Sequence, residues 1–141
     1  MILLDTNILT ISKQSGHPDF KKVTDRLQQF VDDNEELVIC PQNIYEFFVA
    51  ATRPKDQRGL GLSRKKTLEE IKNLDDTYTL INDPENLFSS WKQIIQNYET
   101  SGKQGHDARF VAFMQALGIN RFYTLNVSDF NRYSDIITLL N

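Results

Sequence analysis

Ile2-Leu3-Leu4-Asp5-Thr6-Asn7, near the amino terminus, is the stretch that decides the fold and locates the chemistry. Its aliphatic run predicts a short strand that is buried within a sheet. A carboxylate directly after such a strand is costly to desolvate unless it is paired, protonated or bound to a cation. Asp5 is therefore the first candidate functional residue.

Short apolar runs recur along the chain, with helical patterns between them, and predict strands at 1–4, 37–40, 78–81, 121–125 and 136–139. Strands joined through helices of this length require right-handed crossovers, which give a mainly parallel sheet covered on both faces. The sequence therefore predicts an α/β fold with three layers, α/β/α, and a sheet of about five strands.

Apolar stripes at helical spacing predict the helix faces that pack on this sheet. The stripes are Val23-Leu27-Phe30-Val31, Leu68-Ile71-Leu74 and Leu87-Phe88-Trp91-Ile94-Ile95-Tyr98. Asp83 is expected to cap the third of these helices, with Pro84 in its first turn. Pro54 is expected to end one helix and Ser63 to begin the next, which predicts a helical hairpin.

The length and composition of the chain bound its class. Its 141 residues, 40% hydrophobic and 25% charged, suit one globular domain over 1–141. A single cysteine, Cys40, excludes an internal disulfide. The first strand lies too near the amino terminus for a signal peptide, and no apolar run reaches the length of a membrane span. We expect a soluble, cytoplasmic protein that does not enter a membrane.

The charge is distributed unevenly. The segment 53–66 has six basic residues against one acid, a net charge of +5, which leaves −8 on the rest of a chain whose total is −3. Such a segment is a solvated surface in many proteins, and it also suits an anionic ligand. The net negative charge therefore does not exclude a nucleic-acid partner.

Four acids follow predicted strands or lie early in the helices that come next: Asp5, Glu46, Asp107 and Asp129. Taken singly, Glu46 fits an exposed helix position, Asp107 a partner of a helix dipole and Asp129 a turn residue. The carboxyl ends of parallel strands meet at one edge of the sheet, so the four are expected to converge. Unit charges ~4 Å apart repel by about 4 kcal/mol at an effective dielectric near 20, and a divalent cation would remove this repulsion.

The kind of cation follows from the donor atoms. All-oxygen ligands without clustered histidine or cysteine favour Mg²⁺ or Mn²⁺. Such an ion binds phosphate, lowers the pKa of a water molecule and stabilises the charge that develops on phosphorus. Acids together with a basic segment therefore indicate metal-dependent hydrolysis of phosphodiester bonds.

The order and spacing of these residues resemble a known family. The chain is similar to PIN domains, and specifically to the VapC-like ribonuclease toxins of bacterial toxin-antitoxin pairs. The resemblance covers essentially the whole chain. It is carried by Leu3-Leu4-Asp5-Thr6-Asn7, Glu46, His106-Asp107-Ala108, Thr124-Leu125-Asn126, Asp129-Phe130 and the insert-like Thr52-Arg53-Pro54 with Gly59-Leu60-Gly61-Leu62-Ser63.

The resemblance implies a metal-dependent endoribonuclease in which Asp5, Glu46 and Asp107 hold Mg²⁺ or Mn²⁺, directly or through water. Thr6 and Thr124 are expected to support the site, Thr6 by orienting a carboxylate. Asn7 fits either the same role or that of a cap for the following helix. Many relatives have a further acid where this chain has Asn126, so either Asn126 or Asp129 completes the site. Three carboxylates favour one metal ion over two.

Basic residues supply the expected contacts to RNA phosphates. Trp91 and most of the phenylalanines are expected in the core rather than as stacking platforms for bases. The expected partners are RNA, a cognate antitoxin and a second copy in a homodimer. The candidates for phosphate contacts are Arg53, Arg58, Arg64, Lys65 and Arg109.

Two other functions fit parts of the pattern. An aspartyl phosphotransferase would use Asp5 as its nucleophile, although that chemistry usually places a second acid two residues later, where this chain has Asn7. An RNA-binding or partner-binding module with a degenerate site is the second alternative. The joint presence of Asp5, Glu46 and Asp107 argues against it.

Overall fold

The computed structural model describes residues 1–141 as five strands, seven α-helices and their connections. The strands are β1 (Ile2–Leu4), β2 (Leu37–Ile39), β3 (Thr79–Leu80), β4 (Arg121–Tyr123) and β5 (Thr138–Leu140). The helices are α1 (Thr6–Ile11), α2 (Phe20–Asp32), α3 (Pro41–Thr52), α4 (Arg64–Thr77), α5 (Leu87–Asn97), α6 (Gln104–Leu117) and α7 (Val127–Phe130).

The strands form one sheet in the order β3-β2-β1-β4-β5, and every neighbouring pair is parallel. β1 lies at the centre, where Leu3 is in register with Val38 on one side and Phe122 on the other. The predicted α/β fold with a parallel sheet of five strands is confirmed. The last strand begins at Thr138, two residues later than predicted.

Hydrophobic cores lie on both faces of the sheet. Leu3 belongs to one core, and its neighbours Ile2 and Leu4 belong to the other. All three side chains are fully buried, because successive residues of a strand point to opposite faces and helices cover both. The three-layer arrangement thus explains why β1 is apolar without alternation.

Three predicted core positions are wrong: Val31, Leu68 and Phe88 are 56%, 54% and 66% exposed. In each case the preceding residue is buried instead, namely Phe30, Thr67 and Leu87. One helical position is a rotation of about 100°, which is enough to carry a side chain from the edge of an apolar stripe into solvent.

The predicted start of α5 is also wrong. The helix begins at Leu87 rather than near Pro84, since residues 84–86 form a turn that the bond from the Leu87 amide to the Pro84 carbonyl closes at 3.0 Å. Asp83 is therefore free of any capping role. It forms an ion pair with Arg109 on α6 at 2.6 Å.

The predicted helical hairpin is present. α3 ends at Thr52, and the Ser63 hydroxyl accepts a bond from the Lys66 amide at the start of α4. The connection folds back on α3, because the amides of Leu60 and Leu62 donate to the carbonyls of Ala50 and Ala51. The hairpin therefore fixes the position of the segment that follows Glu46.

None of the seven helices combines the length and the apolarity that crossing a membrane requires.

Candidate active site

Asp5 stands at the junction of β1 and α1, with the extended backbone of a helix N-cap. Its side chain is 7% exposed, and its Oδ2 accepts a 2.6 Å hydrogen bond from the Thr124 hydroxyl. Burial raises the pKa of Asp5 to about 6, and the charge of Glu46 acts in the same direction, against the bond from Thr124. Asp5 is thus a desolvated acid beside a second carboxylate.

Glu46 is held from two sides. The Thr6 hydroxyl donates to its Oε2 at 2.7 Å, and the Gln42 amide donates to its Oε1 at 2.7 Å. Its neighbours Phe47 and Ala51 are fully buried, so α3 packs its other face into the core and turns Glu46 towards α1. Thr6 therefore contacts the carboxylate of Glu46, while Thr124 contacts that of Asp5.

Asn43 is a buried polar residue of this region whose role no sequence pattern indicated. Its amide nitrogen donates to the Leu4 carbonyl at 3.0 Å and to the Thr6 hydroxyl at 3.3 Å, and its oxygen accepts from the Cys40 amide at 2.8 Å. It therefore ties the end of β1 to the start of α3. The available sequence signal was an Asn in the first turn of a helix that opens with proline.

Gln42, 5% exposed, is a second polar residue whose role the sequence did not reveal. Besides bonding to Glu46, its amide nitrogen donates to the His106 carbonyl at 2.9 Å, and its oxygen accepts from Arg109 at 3.2 Å. These bonds join α3 to the first turns of α6, where Asp107 lies. Gln42 thereby fixes the spacing between two of the candidate ligands.

Asp107 completes the acidic group. Partial burial raises its pKa, and the charges of Asp129 and Glu46 raise it further, in that order, against His106 and Lys103. Asp129 lies in the first turn of α7, and its charge acts on Asp107 more strongly than that of Glu46 does. Glu46 thus interacts electrostatically with both Asp5 and Asp107, and Asp129 interacts with Asp107. These four residues are called the acidic group below.

Asn126, the alternative to Asp129 as the fourth residue of the site, is the N-cap residue of α7. Its backbone amide donates to the Thr124 hydroxyl at 2.9 Å, and that hydroxyl in turn donates to Asp5. The structure gives the Asn126 side chain no bond within the site. Asp129 is therefore the candidate that adds charge next to Asp107.

Asn7 does not cap α1, which was one of its two predicted roles, because Asp5 takes the N-cap position. Both polar atoms of the Asn7 amide are buried without a hydrogen-bond partner. Buried polar groups of this kind normally pair with protein, water or a ligand. An unpaired amide two residues from Asp5 fits a site that takes up a hydrated ion.

The donor set fits a hard divalent cation, since every candidate side chain offers oxygen. As the side chains stand, no group of three His, Cys, Asp or Glu residues encloses a point where an ion would sit. Mg²⁺ keeps several of its waters and takes one or two carboxylates directly, so it does not need three converging ones. The remaining acids would act through water.

The basic candidates fall into three places. Arg53 and Arg109 line a groove of about 560 Å³ that Glu46 also lines. Arg64 and Lys65 line a separate surface depression on α4, which Glu69 also lines but none of the four candidate acids does. Arg58 is exposed and lies in the turn between α3 and α4, in neither groove. Only Arg53 and Arg109 are therefore placed beside the acidic group.

Comparison with solved structures relates this geometry to known proteins. The chain matches VapBC2 from Rickettsia felis bound to a DNA fragment from their promoter, with a TM-score of 0.73, 14% identity and 100% of both chains covered. It matches VapBC-1 from nontypeable Haemophilus influenzae with a TM-score of 0.72 at 19% identity, covering 100% of this chain and 98% of that chain.

A third match is VapC20 from Mycobacterium tuberculosis, a Sarcin-Ricin loop cleaving toxin, with a TM-score of 0.69, 11% identity and coverage of 98% and 97%. No protein-family model and no curated protein matches the sequence. At these identities the similarity lies in the fold. The chain therefore has the same fold as these VapC and VapBC structures, which agrees with the PIN-like fold expected from the resemblance in its sequence.

Proposed function

We propose that this protein is a Mg²⁺- or Mn²⁺-dependent endoribonuclease and the toxin of a toxin-antitoxin pair. The main support is the group of acids at the carboxyl edge of the sheet. There burial raises the pKa values of Asp5 and Asp107, and the charge of Glu46 raises both further. The fold supports the same proposal, because one structural neighbour is a Sarcin-Ricin loop cleaving toxin and others are VapBC complexes.

Asp5, Glu46 and Asp107 would hold the ion, directly or through water, with Asp129 as the fourth acid. When bound, the ion would supply a more acidic water and positive charge beside the scissile phosphate. Its positive charge would also lower the pKa values of Asp5 and Asp107, which burial raises most and the neighbouring carboxylates raise further.

The other side chains orient the acids and the substrate. Thr124 holds one oxygen of Asp5, and Thr6 and Gln42 hold both oxygens of Glu46. Arg53 and Arg109 would contact the phosphates of RNA lying in the shared groove. Attack of water on phosphorus then breaks the bond to the leaving oxygen, and by analogy with PIN ribonucleases leaves a 5′-phosphate and a 3′-hydroxyl.

Cleavage of RNA by the purified full chain tests the proposal. Wild type is expected to cut RNA in Mg²⁺ or Mn²⁺ and to stop when EDTA is added. Asp5→Asn, Glu46→Gln and Asp107→Asn are each expected to remove most of the activity while retaining a cooperative unfolding transition. Asp25→Asn, an exposed acid on α2, is the matched control. Cleavage by Asp5→Asn at the wild-type rate would contradict the assignment.

A catalytically inactive RNA-binding or partner-binding module is the second candidate, because no three acids enclose an ion as they stand. Calorimetric titration with Mg²⁺ separates the two. Saturable binding that Asp5→Asn weakens supports the nuclease. RNA binding with neither Mg²⁺ uptake nor cleavage would favour the module.

The toxin role makes its own prediction. The cognate antitoxin is expected to bind the chain and to suppress both its RNA cleavage and the growth arrest that it causes. Induction of wild type and of Asp5→Asn in the same bacterial host tests this. Equal growth arrest by both chains would separate toxicity from the proposed chemistry.

A further inference from the structure

Phe88 and Trp91 form an aromatic pair on α5 in which only Phe88 is exposed to solvent. Trp91 packs against the core, as predicted, and its indole nitrogen donates to the Gly105 carbonyl at 2.8 Å. Their ring planes are 17° apart and their centroids 6.2 Å apart, which is a stacked arrangement. Leu87 and Ile94 are the buried residues of the helix, whereas Phe88 is 66% exposed. The packing of α5 therefore does not account for a phenylalanine at this position.

The pair borders a groove of about 380 Å³ whose other walls include Pro84, Glu85 and Arg109. This volume lies within the range of small-ligand sites. Arg109 lines this groove and also the larger groove that contains Glu46. The aromatic pair is thus joined to the acidic group through one shared arginine.

The charged side chains around the pair favour a phosphate at one position and an uncharged ring at another. Arg109 is held by Asp83 and Gln42, and the Lys92 ammonium lies 4.8 Å from the centre of the Phe88 ring. The carboxylate of Glu85 repels phosphate from the groove itself. A planar, uncharged group therefore fits against the exposed Phe88 ring, with a phosphate towards Arg109.

We propose that Phe88 and Trp91 stack an unpaired base of the RNA substrate while Arg109 contacts the adjoining phosphate. This inference rests on the proposed ribonuclease function and adds to it a subsite for one unpaired base. Bases in a duplex stack on one another and are withheld from protein side chains, whereas splayed bases are available. Arg109 at the groove and Lys92 against the Phe88 ring favour a nucleotide over an apolar helix of a protein partner.

Trp91 is the only tryptophan of the chain, so its fluorescence reports on this site alone. The experiment uses the full chain carrying Asp5→Asn, which keeps the RNA intact, in Mg²⁺ with an unstructured RNA oligonucleotide and with an RNA duplex of equal length. The single strand is expected to quench Trp91 and to bind more tightly than the duplex.

Anisotropy of fluorescein-labelled RNA then measures the contribution of the ring. Adding Phe88→Ala is expected to raise Kd for the single strand about five- to hundredfold, as loss of one stacked base does. Phe88→Tyr, which keeps the ring, is expected to stay within about twofold of the parent. Val31→Ala removes an apolar side chain of similar exposure on α2 and is the control that should change nothing.

Three outcomes would overturn the inference. The first is a Phe88→Ala affinity equal to that of the parent, and the second is equal affinity for duplex and single strand. The third is a shift of Phe88→Ala to a smaller oligomer in sedimentation with RNA binding unchanged, which would make the pair a self-association surface. Absence of cleavage by wild type would count against the ribonuclease function, and the binding comparison would still decide the role of Phe88.

Discussion

The Thr124 hydroxyl donates a 2.6 Å hydrogen bond to Asp5, a residue 119 positions earlier in the chain. The same hydroxyl accepts a bond from the Asn126 amide, so one side chain links the ends of β1 and β4 to the start of α7. Because parallel pairing sets β1 beside β4, the carboxylate of Asp5 is oriented by the sheet itself. The candidate site is therefore built into the fold.

Replacing Asp5 by Asn is expected to stabilise the protein at pH 7 in EDTA. Burial raises the pKa of Asp5 to about 6 from an ordinary value of 3.8, so the folded state holds this proton more tightly than the unfolded state. Ionising Asp5 in the folded state therefore lowers the free energy of unfolding. This loss is absent below pH 3.8, grows as the pH rises towards 6 and is constant above it. It amounts to about 3 kcal/mol at most, and Asn can still accept the bond from Thr124.

Urea unfolding at a series of pH values measures this effect. The gain in the free energy of unfolding is expected near pH 7 and should shrink as the pH falls towards 4. Asp25→Asn, at an exposed position on α2 paired with Lys21, should not show this pattern. An Asp5→Asn protein less stable than wild type at pH 7 would show that the carboxylate is not strained.

Gln42→Met is expected to weaken both the fold and the binding of Mn²⁺. Methionine fills a similar volume, but Glu46 loses one donor and the His106 carbonyl loses its partner, which costs about 1–3 kcal/mol of stability for a buried group. Glu46 also gains freedom to turn. Chemical unfolding measures the first effect, and electron paramagnetic resonance of free Mn²⁺ measures the second.

Gln28→Met is the matched control for this prediction, since Gln28 is exposed on α2 and contacts only Asp32 through its amide. A purely structural role of Gln42 would lower the free energy of unfolding and leave the Mn²⁺ affinity of the folded protein unchanged. That result would refute a role in positioning Glu46.

The sequence sufficed for the parts of the site that local patterns determine. Asp5 follows an apolar strand, and the rule that parallel strands present their carboxyl ends at one edge places the other acids near it. The sequence was not sufficient to predict the roles of Gln42 and Asn43. Their partners, His106 and Leu4, lie 64 and 39 residues away in the chain. A polar residue in a helix has no local signal that distinguishes a buried bridge from a solvated side chain.

The core was predictable except at the edges of helix stripes. Phe88 and Val31 adjoin buried positions in sequence, and a 3.6-residue period fixes the centre of a stripe better than its border. Which border residue is buried depends on the position of the sheet, and this is a tertiary property. The exposure of Phe88 could not be foreseen from its own helix.

Cys40 is expected to be unreactive in the folded protein. Its side chain is fully buried, and burial raises the pKa of the thiol to about 11, so little thiolate exists at pH 8. A chromogenic disulfide reagent should therefore modify Cys40 only as fast as the protein unfolds, and completely in 6 M guanidinium. Rapid, stoichiometric modification of the native protein would contradict the burial of this strand end.

Gly59→Ala is expected to destabilise the hairpin between α3 and α4. A Cβ at position 59 would lie 1.9 Å from the Arg53 carbonyl oxygen, so the backbone would have to move. The same carbonyl accepts the Gly61 amide at 2.9 Å, and this bond fastens the turn to the end of α3. Steric overlap at a packed backbone costs about 1–3 kcal/mol, and Arg53 should move away from the groove that it shares with Glu46.

Gly16→Ala is the matched control, because nothing lies within 4 Å of its added Cβ. Chemical unfolding and RNA affinity measured on both variants give the result, and equal values for the two would show that the turn adapts without strain.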